Sequence, residues 1–456
     1  MTGATLVVRE PQMAALVEMA RSPVECAAVL LVGIAATSPP RVIVRDVASV
    51  PTEAIERQSS DELVIRSEGY MPALARAERL RASAVFVHTH PGSTTEGSDR
   101  DKRVDELLAP MFVSRTGSAW YGSVRLSLDS EGVLTFAGEM SAEGRFTPFT
   151  RALVVGDRLR LFGAADAPPG VPVAAIFDRH VRAFGPDFQH LLGQLTIGVV
   201  GCGGTGSATA EELTRLGVGT LLLFDDQRVT DTNLTRIHET VRSDIGRRKV
   251  DVLAERLEAA GTGTRAVAVP ERITDRLTAE RLRECDVVFG CTDDDTGRAV
   301  LNRLAIWYVV PVFDMAFVID SEAGELRGLV GRVTTLLPGN ACLLCRERLD
   351  PGRLYDAALP FAERDRLVGE GYARELPDVD PAVVPFATSV ASLAVGELVE
   401  RIVGYDQPPP SEVLFLPAER RISRSRVLGE ERHWCGHQDR WGLGDVEPFL
   451  DRVWTQ

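Results

Sequence analysis

The glycine loop Gly201-Cys202-Gly203-Gly204-Thr205-Gly206 constrains this chain more than any other stretch. It lies between an apolar run (195–200) and a helical stretch (207–216) that is stopped by Gly217. Glycines let the backbone turn sharply and approach a ligand, and the N-terminus of the following helix favours negative charge. Strand-like runs at 220–224, 266–269 and 287–290 follow, with a helical stretch at 249–260 among them. Strands separated by helices of that length fold as a mainly parallel, doubly wound sheet. Asp225 ends the second of these strands, the place where ribose hydroxyls are held. Gly201, Gly203, Gly204, Gly206 and Asp225 therefore read as a dinucleotide or adenosine-nucleotide site, for which hydride transfer is the default chemistry.

Three further features displace that default. Asn233-Leu234-Thr235-Arg236 follows the ribose strand, and Lys249 opens the next helix. Cys291-Thr292-Asp293-Asp294 ends a later strand, with Arg298 and Asn302 on the helix beyond it, and Arg179-His180-Val181-Arg182 precedes the first strand. Hydride transfer has little need of so many cations, but departure of pyrophosphate does. Arg and Lys neutralise triphosphate charge, while a carboxylate such as Asp293 holds Mg²⁺. These residues resemble the ubiquitin-activating/ThiF/MoeB superfamily over about residues 176–404. The resemblance implies a Rossmann-like unit that uses ATP to adenylate the C-terminal carboxylate of a small β-grasp protein, or less often of a peptide. It assigns ribose to Asp225, phosphates to Asn233, Arg236 and Lys249, and Mg²⁺ to Asp293. It makes Arg182 an arginine finger delivered across a homodimer. Two positions depart from the family pattern: Asp-x-Asp is here Asp225-Asp226-Gln227, and the Gln usual after the phosphate-binding arginine is Ile237.

A second constellation lies upstream. His88-Thr89-His90-Pro91 is followed by Ser98 and, three residues later, by Asp101. Two histidines two apart on a strand point the same way, and two imidazoles with a carboxylate suit Zn²⁺ while leaving a position for water. Zinc lowers the pKa of that water toward neutrality, and a general base must stand beside it. Glu25, immediately before the apolar run 26–32, is the candidate. The pattern resembles the JAMM (JAB/MPN) metalloprotease family: a distant Glu, His-x-His, seven residues, Ser, two residues, Asp, with every position met over roughly the first 150 residues. The resemblance assigns His88, His90 and Asp101 to zinc, Glu25 to the water and Ser98 to the oxyanion, and it implies a cytidine-deaminase-like domain that hydrolyses peptide or isopeptide bonds. Helical and strand-like stretches alternate through this region, which predicts a mixed α/β domain over 1–150. The cluster of Gly, Ala and Pro at 163–172 predicts a linker over 151–175.

Cys342-Leu343-Leu344-Cys345 follows a Pro-Gly-Asn turn, the form of a structural zinc knuckle. Many relatives in the superfamily pair it with a second such motif. Here the late candidates are Cys435 and His437, predicting a Cys₃His site that clamps a tail (405–456) to the body. A redox pair or two buried thiols is the alternative. Conjugating members carry a thioester cysteine between the first knuckle and the last helix, and residues 346–434 contain none.

The 51 basic against 65 acidic side chains speak against nucleic acid as the main partner. No long apolar run predicts a membrane span, and seven scattered cysteines fit a reducing, cytoplasmic setting. A peptidase and a carboxylate activator share one substrate if it is a ubiquitin-like or sulfur-carrier β-grasp protein. The alternatives are activation of a peptide or amino-acid carboxylate in sulfur or natural-product metabolism, and a scaffold that binds a β-grasp partner without catalysis.

Overall fold

A computed structural model of the chain describes residues 3–92, 94–165, 173–352, 354, 366, 382–405 and 408–454. The chain divides into two compact units, and both are α/β. The first comprises Met1–Pro169 together with Trp307–Val309 and Gln438–Phe449.

In the first unit the elements run β1 (Ala4–Arg9), α1 (Glu10–Ala20), β2 (Ala27–Ala35), β3 (Arg41–Ser49), β4 (Ile55–Gln58), β5 (Leu63–Ile65), α2 (Met71–Arg79), β6 (Ser83–Thr89) and α3 (Asp99–Thr116). They continue with β7 (Trp120–Leu128), β8 (Leu134–Ala142), β9 (Arg145–Val155) and β10 (Leu159–Gly163). The main sheet has the order β1-β3-β2-β6-β7-β8-β9-β10, and β1 also pairs with β9 in parallel, so the sheet closes on itself like a barrel. Every residue of β2 is buried, because both of its faces are covered. Leu30 and Val32 join Val85, Val87 and the α1 residues Met13 and Leu16 in one core. Val29 and Leu31 join Phe86, Leu74 of α2 and Phe112 of α3 in another. β4 and β5 form a separate two-stranded ribbon.

Two sequence expectations change here. The domain does not end at 150, since β9 and β10 carry its sheet to Gly163, paired antiparallel around the turn at 156–158. The predicted linker of 151–175 is thus largely strand at its start, and its residues 166–172 lie outside the described residues. The predicted tail of 405–456 also splits. Gln438–Phe449 belongs to the first unit, where it fills an edge that β6 leaves open. β6 pairs with β2 only as far as Val32, and beyond it Ile34 bridges Gly444 in parallel. The Asp445 amide donates to the Ile34 carbonyl (2.7 Å), and its carboxylate accepts from the Ala36 amide (2.7 Å) and the Tyr308 hydroxyl (2.6 Å). Gly444 has φ 69°, and a Cβ there would lie 2.5 Å from the Ile34 carbonyl oxygen, so only glycine allows this approach.

The second unit contains α4 (Asp178–Phe184), α5 (Pro186–Gln194), β11 (Thr196–Val200), α6 (Gly204–Leu216), β12 (Thr220–Phe224), α7 (Lys249–Ala259), β13 (Arg265–Val269), α8 (Arg276–Arg281), β14 (Val287–Gly290) and α9 (Asp295–Trp307). β15 (Val312–Glu322), β16 (Glu325–Leu336), α10 (Val384–Val403), β17 (Glu412–Leu416) and β18 (Arg421–Ser425) complete it. Its sheet runs β13-β12-β11-β14-β15-β16-β17-β18. The first five strands are parallel and the last three antiparallel, the mixed form of a doubly wound fold. The strand order reverses direction beside β11, so the glycine loop sits at the carboxyl ends of strands where such sheets bind ligands. No helix among the described residues is long and apolar enough to cross a membrane.

Candidate metal centre and nucleotide site

In the first unit, β2 and β6 are antiparallel with Ala27 opposite His88. The Thr89 amide donates to the Cys26 carbonyl, and the Cys26 amide donates to the Thr89 hydroxyl (both 2.8 Å). Carried two residues further, this register sets Glu25 opposite His90 and on the same face as His88. α3 brings Asp101 to that face. His88 Nε2 lies 3.0 Å from His90 Nε2 and 3.3 Å from Asp101 Oδ1, and His90 Nε2 lies 3.6 Å from Asp101 Oδ2. A tetrahedral ion with bonds of about 2.0–2.1 Å has donor–donor edges of roughly 3.3–3.4 Å, so this donor set fits zinc.

Electrostatics agree with a ligand set. Burial alone would push the Asp101 carboxyl up, but hydrogen bonds from His88 and Ser98 outweigh it and hold the group well below the usual carboxylate range. Burial and the neighbouring His88 push the His90 imidazole down, which favours the neutral ring a metal needs. Burial raises Glu25, with His88 opposing, so its carboxylate is a stronger base than an exposed one. Ser98 caps α3: its hydroxyl accepts from the Asp101 amide (3.1 Å) and donates to Asp101 Oδ2 (2.8 Å). The serine therefore orients the aspartate, whatever else it does.

In the second unit, the loop between β11 and α6 is built by glycine. Gly201 has φ 89°, and a Cβ on Gly206 would fall 1.8 Å from the Gly201 carbonyl oxygen. A Cβ on Gly203 would meet nothing within 4 Å, so the loop opens to space just before the N-terminus of α6 at Gly204. Asp225 accepts from the Cys202 amide (2.7 Å) and the Gln227 amide (2.8 Å), which fixes its carboxylate against the loop. Asn233 is buried and accepts from the Thr230 amide, while the Arg236 guanidinium donates to the Thr232 carbonyl (2.9 Å). Lys249 is buried at the start of α7 and donates to Gln227 Oε1 (2.6 Å), so the residue that replaces the second Asp of the family pattern is the lysine's partner. The backbone of Cys291 and Thr292 abuts Gly201. Of the two carboxylates that follow, Asp294 accepts from the Thr296 and Gly297 amides and caps α9, whereas Asp293 is exposed. Arg182 is exposed on α4 and ion-paired with Asp178 at 2.8 Å. These groups fit a nucleotide with Mg²⁺: an open glycine cradle, a helix N-terminus, a buried ammonium and a carboxylate left to solvent.

The knuckle differs from expectation in one ligand. Cys342, Cys345, Cys435 and His433 bring their ligand atoms within 4.8 Å of one another, and His437 is not among them. Sγ–Sγ separations of 3.8 and 3.7 Å and one Nδ1–Sγ separation of 3.6 Å match the roughly 3.5–3.8 Å edges of a zinc tetrahedron, and the other two Nδ1–Sγ separations, 3.4 and 3.1 Å, are shorter. The turn after Cys435 explains the exchange. The His437 amide donates back to the His433 carbonyl (3.1 Å), leaving His437 exposed while His433 lies inward beside Cys435. We expect His433→Ala to remove one equivalent of zinc from the purified protein and His437→Ala to remove none. Elemental analysis of both variants checks this, and equal losses would contradict the assignment.

The ThiF family profile matches residues 177–436, more than half of the chain. The chain belongs to the ThiF family. Among its relatives, the sulfur carrier protein adenylyltransferase of Thermus thermophilus is 32% identical over 262 residues, spanning 54% of this chain and 87% of the relative. Protein HesA of Leptolyngbya boryana is 27% identical over 271 residues (56% and 85%), and the molybdopterin-synthase adenylyltransferase of Escherichia coli is 27% identical over 241 residues (52% and 85%). The ThiF match begins after the first unit's own sheet has ended.

Within the ThiF unit, two residues noted in the sequence serve the scaffold. Arg298 makes a bidentate bond to the fully buried Asp314 (both 3.1 Å), which Arg332 also reaches at 2.8 Å. Asn302 accepts from the Leu343 amide (3.0 Å) and so holds the knuckle. Asp314 and Arg332 carry no local motif that would have marked them. Cys202 is fully buried, and burial and then the adjacent Asp225 push its thiol well up. Burial does the same to Cys291, so neither thiol is poised as a nucleophile.

Proposed function

We propose that this chain is a two-site enzyme acting on the C-terminus of a ubiquitin-like or sulfur-carrier β-grasp protein. The first unit cleaves a peptide or isopeptide bond in the manner of JAMM metallopeptidases. The ThiF unit then uses ATP and Mg²⁺ to convert the exposed carboxylate to an acyl-adenylate, releasing pyrophosphate. The convergence of His88, His90 and Asp101, with Glu25 beside them, carries this reading, because it adds a hydrolytic centre to a carboxylate-activating family. The name of the Thermus thermophilus relative, a sulfur carrier protein adenylyltransferase, supports the carrier protein as substrate.

Zinc held by His88, His90 and Asp101 would supply a water acidic enough to attack at neutral pH. Glu25 accepts the water's proton and returns it to the departing amine. Ser98, whose hydroxyl donates to Asp101 Oδ2 in this structure, is assigned to turn that proton to the carbonyl oxygen as negative charge develops there. In the ThiF unit, Asp225 holds ribose, Asn233, Arg236 and Lys249 face phosphates, and Asp293 takes Mg²⁺. Exposed Arg182 is assigned to the second copy of a homodimer. The knuckle holds a structural zinc.

The test uses a β-grasp carrier with a short extension beyond its terminal glycine, which has no free glycine carboxylate to activate. With the zinc-loaded chain, the extension is expected to be removed and ATP–pyrophosphate exchange to appear after a lag. A carrier made without the extension is expected to support exchange at once. Exchange that ignores both proteins, or begins while the extension is intact, would overturn the shared-substrate reading.

A further inference from the structure

We propose that Asp105 is a positioning residue for the metal centre of the first unit, fixing the distance between the helix that carries Asp101 and the strand that carries His88. The inference rests on the reading of that centre as metal-binding.

Asp105 lies one turn after Asp101 on α3, so the two carboxylates share a helix face. Asp105 Oδ1 accepts from the Tyr121 hydroxyl at 2.6 Å and Oδ2 accepts from the Ser123 hydroxyl at 2.8 Å. Tyr121 and Ser123 alternate along β7 and point to one face. β7 is parallel to β6 with Tyr121 opposite Ala84, Ser123 opposite Phe86 and Arg125 opposite His88. The face that binds Asp105 is therefore the one from which His88 projects. Burial, and then the charge of Asp105, push the Tyr121 phenol far up, so it stays a donor in this pair. Two hydroxyls thus fasten both oxygens of one carboxylate across the helix–strand gap, directly below the ligands.

The histidine side of the centre needs such a fastening. A metal-ligating histidine usually donates its second ring nitrogen to an acceptor that sets the ring's orientation. His88 Nδ1 is buried and, among the described residues, has no hydrogen-bond partner. Its ring is held instead by stacking on Phe86 at 5.7 Å, and Phe86 in turn meets Phe112 of α3 edge-on at 6.5 Å. Ligand geometry then depends on how far α3 stands from β6. Phe112 sets that spacing at the far end of the helix and Asp105 sets it next to the ligands.

The test is cobalt(II) titration of metal-free full-length chain, read in the visible spectrum. Bands from a nitrogen–oxygen site are separated from the thiolate charge-transfer bands of the knuckle, and His88→Ala identifies the former. Asp105→Ala is expected to weaken cobalt binding at the nitrogen–oxygen site by roughly 10–100-fold, the usual effect of removing an outer-shell partner, with the knuckle unchanged. Asp105→Asn, which keeps one acceptor oxygen, is expected to recover part of the loss. Leu108→Ala, a buried apolar truncation on the same helix, serves as the stability control and is expected to lower Tm without a comparable loss of affinity. Unchanged affinity in Asp105→Ala, or an equal loss in Leu108→Ala, would overturn the positioning role. A wild-type chain with no nitrogen–oxygen band would instead overturn the metal reading on which it rests.

Discussion

Glu25→Gln should abolish cleavage of an extended carrier while leaving ATP–pyrophosphate exchange with the mature carrier unchanged. Extended two residues past its last pair, Ala27 with His88, the register between β2 and β6 sets Glu25 across from His90, and the side chain belongs to none of the ligand groups, so its loss leaves the metal donors intact. Glutamine keeps the size and hydrogen-bonding reach but cannot take a proton, which isolates the base function from packing. Positioned general bases contribute about 10²–10⁴-fold, and a loss of that size is expected here. Cleavage is followed by mass spectrometry of the carrier, with exchange and zinc content measured on the same preparation. Residual cleavage within tenfold of wild type, at full zinc content, would remove Glu25 from the chemistry. Loss of exchange as well would contradict the independence of the two sites.

Asp293→Ala is expected to produce the opposite pattern: exchange falls by roughly 10²–10³-fold and cleavage persists. The magnitude is that of removing one preorganised electrostatic contact from a charge-developing step. The structure divides the labour between two adjacent carboxylates. Asp294 is committed to the amides at the start of α9, and Asp293 is left exposed, one residue beyond the Thr292 backbone that abuts Gly201. Asp294→Ala should therefore act mainly on stability, at about 1 kcal/mol for a lost cap. If Asp293→Ala retained exchange at the wild-type rate while Asp294→Ala lost it in a folded protein, the two assignments would have to be exchanged.

The ThiF unit was legible because its signals are local. A glycine loop between a strand and a helix, an acid at the next strand end and a basic residue at a helix start each occupy a few consecutive positions. His88, His90 and Asp101 were legible for the same reason, and the structure brings their donor atoms together. What escaped depends on long-range pairing. Nothing near Ala4 announces that β1 will join β9; that closure carries the sheet to Val155, and the β9–β10 hairpin takes it on to Gly163. His433 escaped the sequence reading because His433-Trp434-Cys435 and Cys435-Gly436-His437 carry the same i, i+2 spacing on either side of Cys435. Only the turn that folds the His437 amide back onto the His433 carbonyl and leaves His437 exposed separates the two. Asp105 had no signal of its own, since its meaning depends on β7 lying beside β6.

The segment Gln438–Phe449 completes an edge of a unit whose other strands all precede Pro169. Until Asp445 arrives, the Ile34 carbonyl and the Ala36 amide at that edge lack the partners they have in the finished chain. A ribosome adding about 5–20 residues per second makes the first unit wait on the order of ten seconds to a minute for its last piece. An unpaired edge is a template for joining other strands, so this is the interval in which chaperones have most to guard. The two units are thereby bound at the level of the gene: a reading frame cut after the first sheet would encode a fragment with its closing strap on another message.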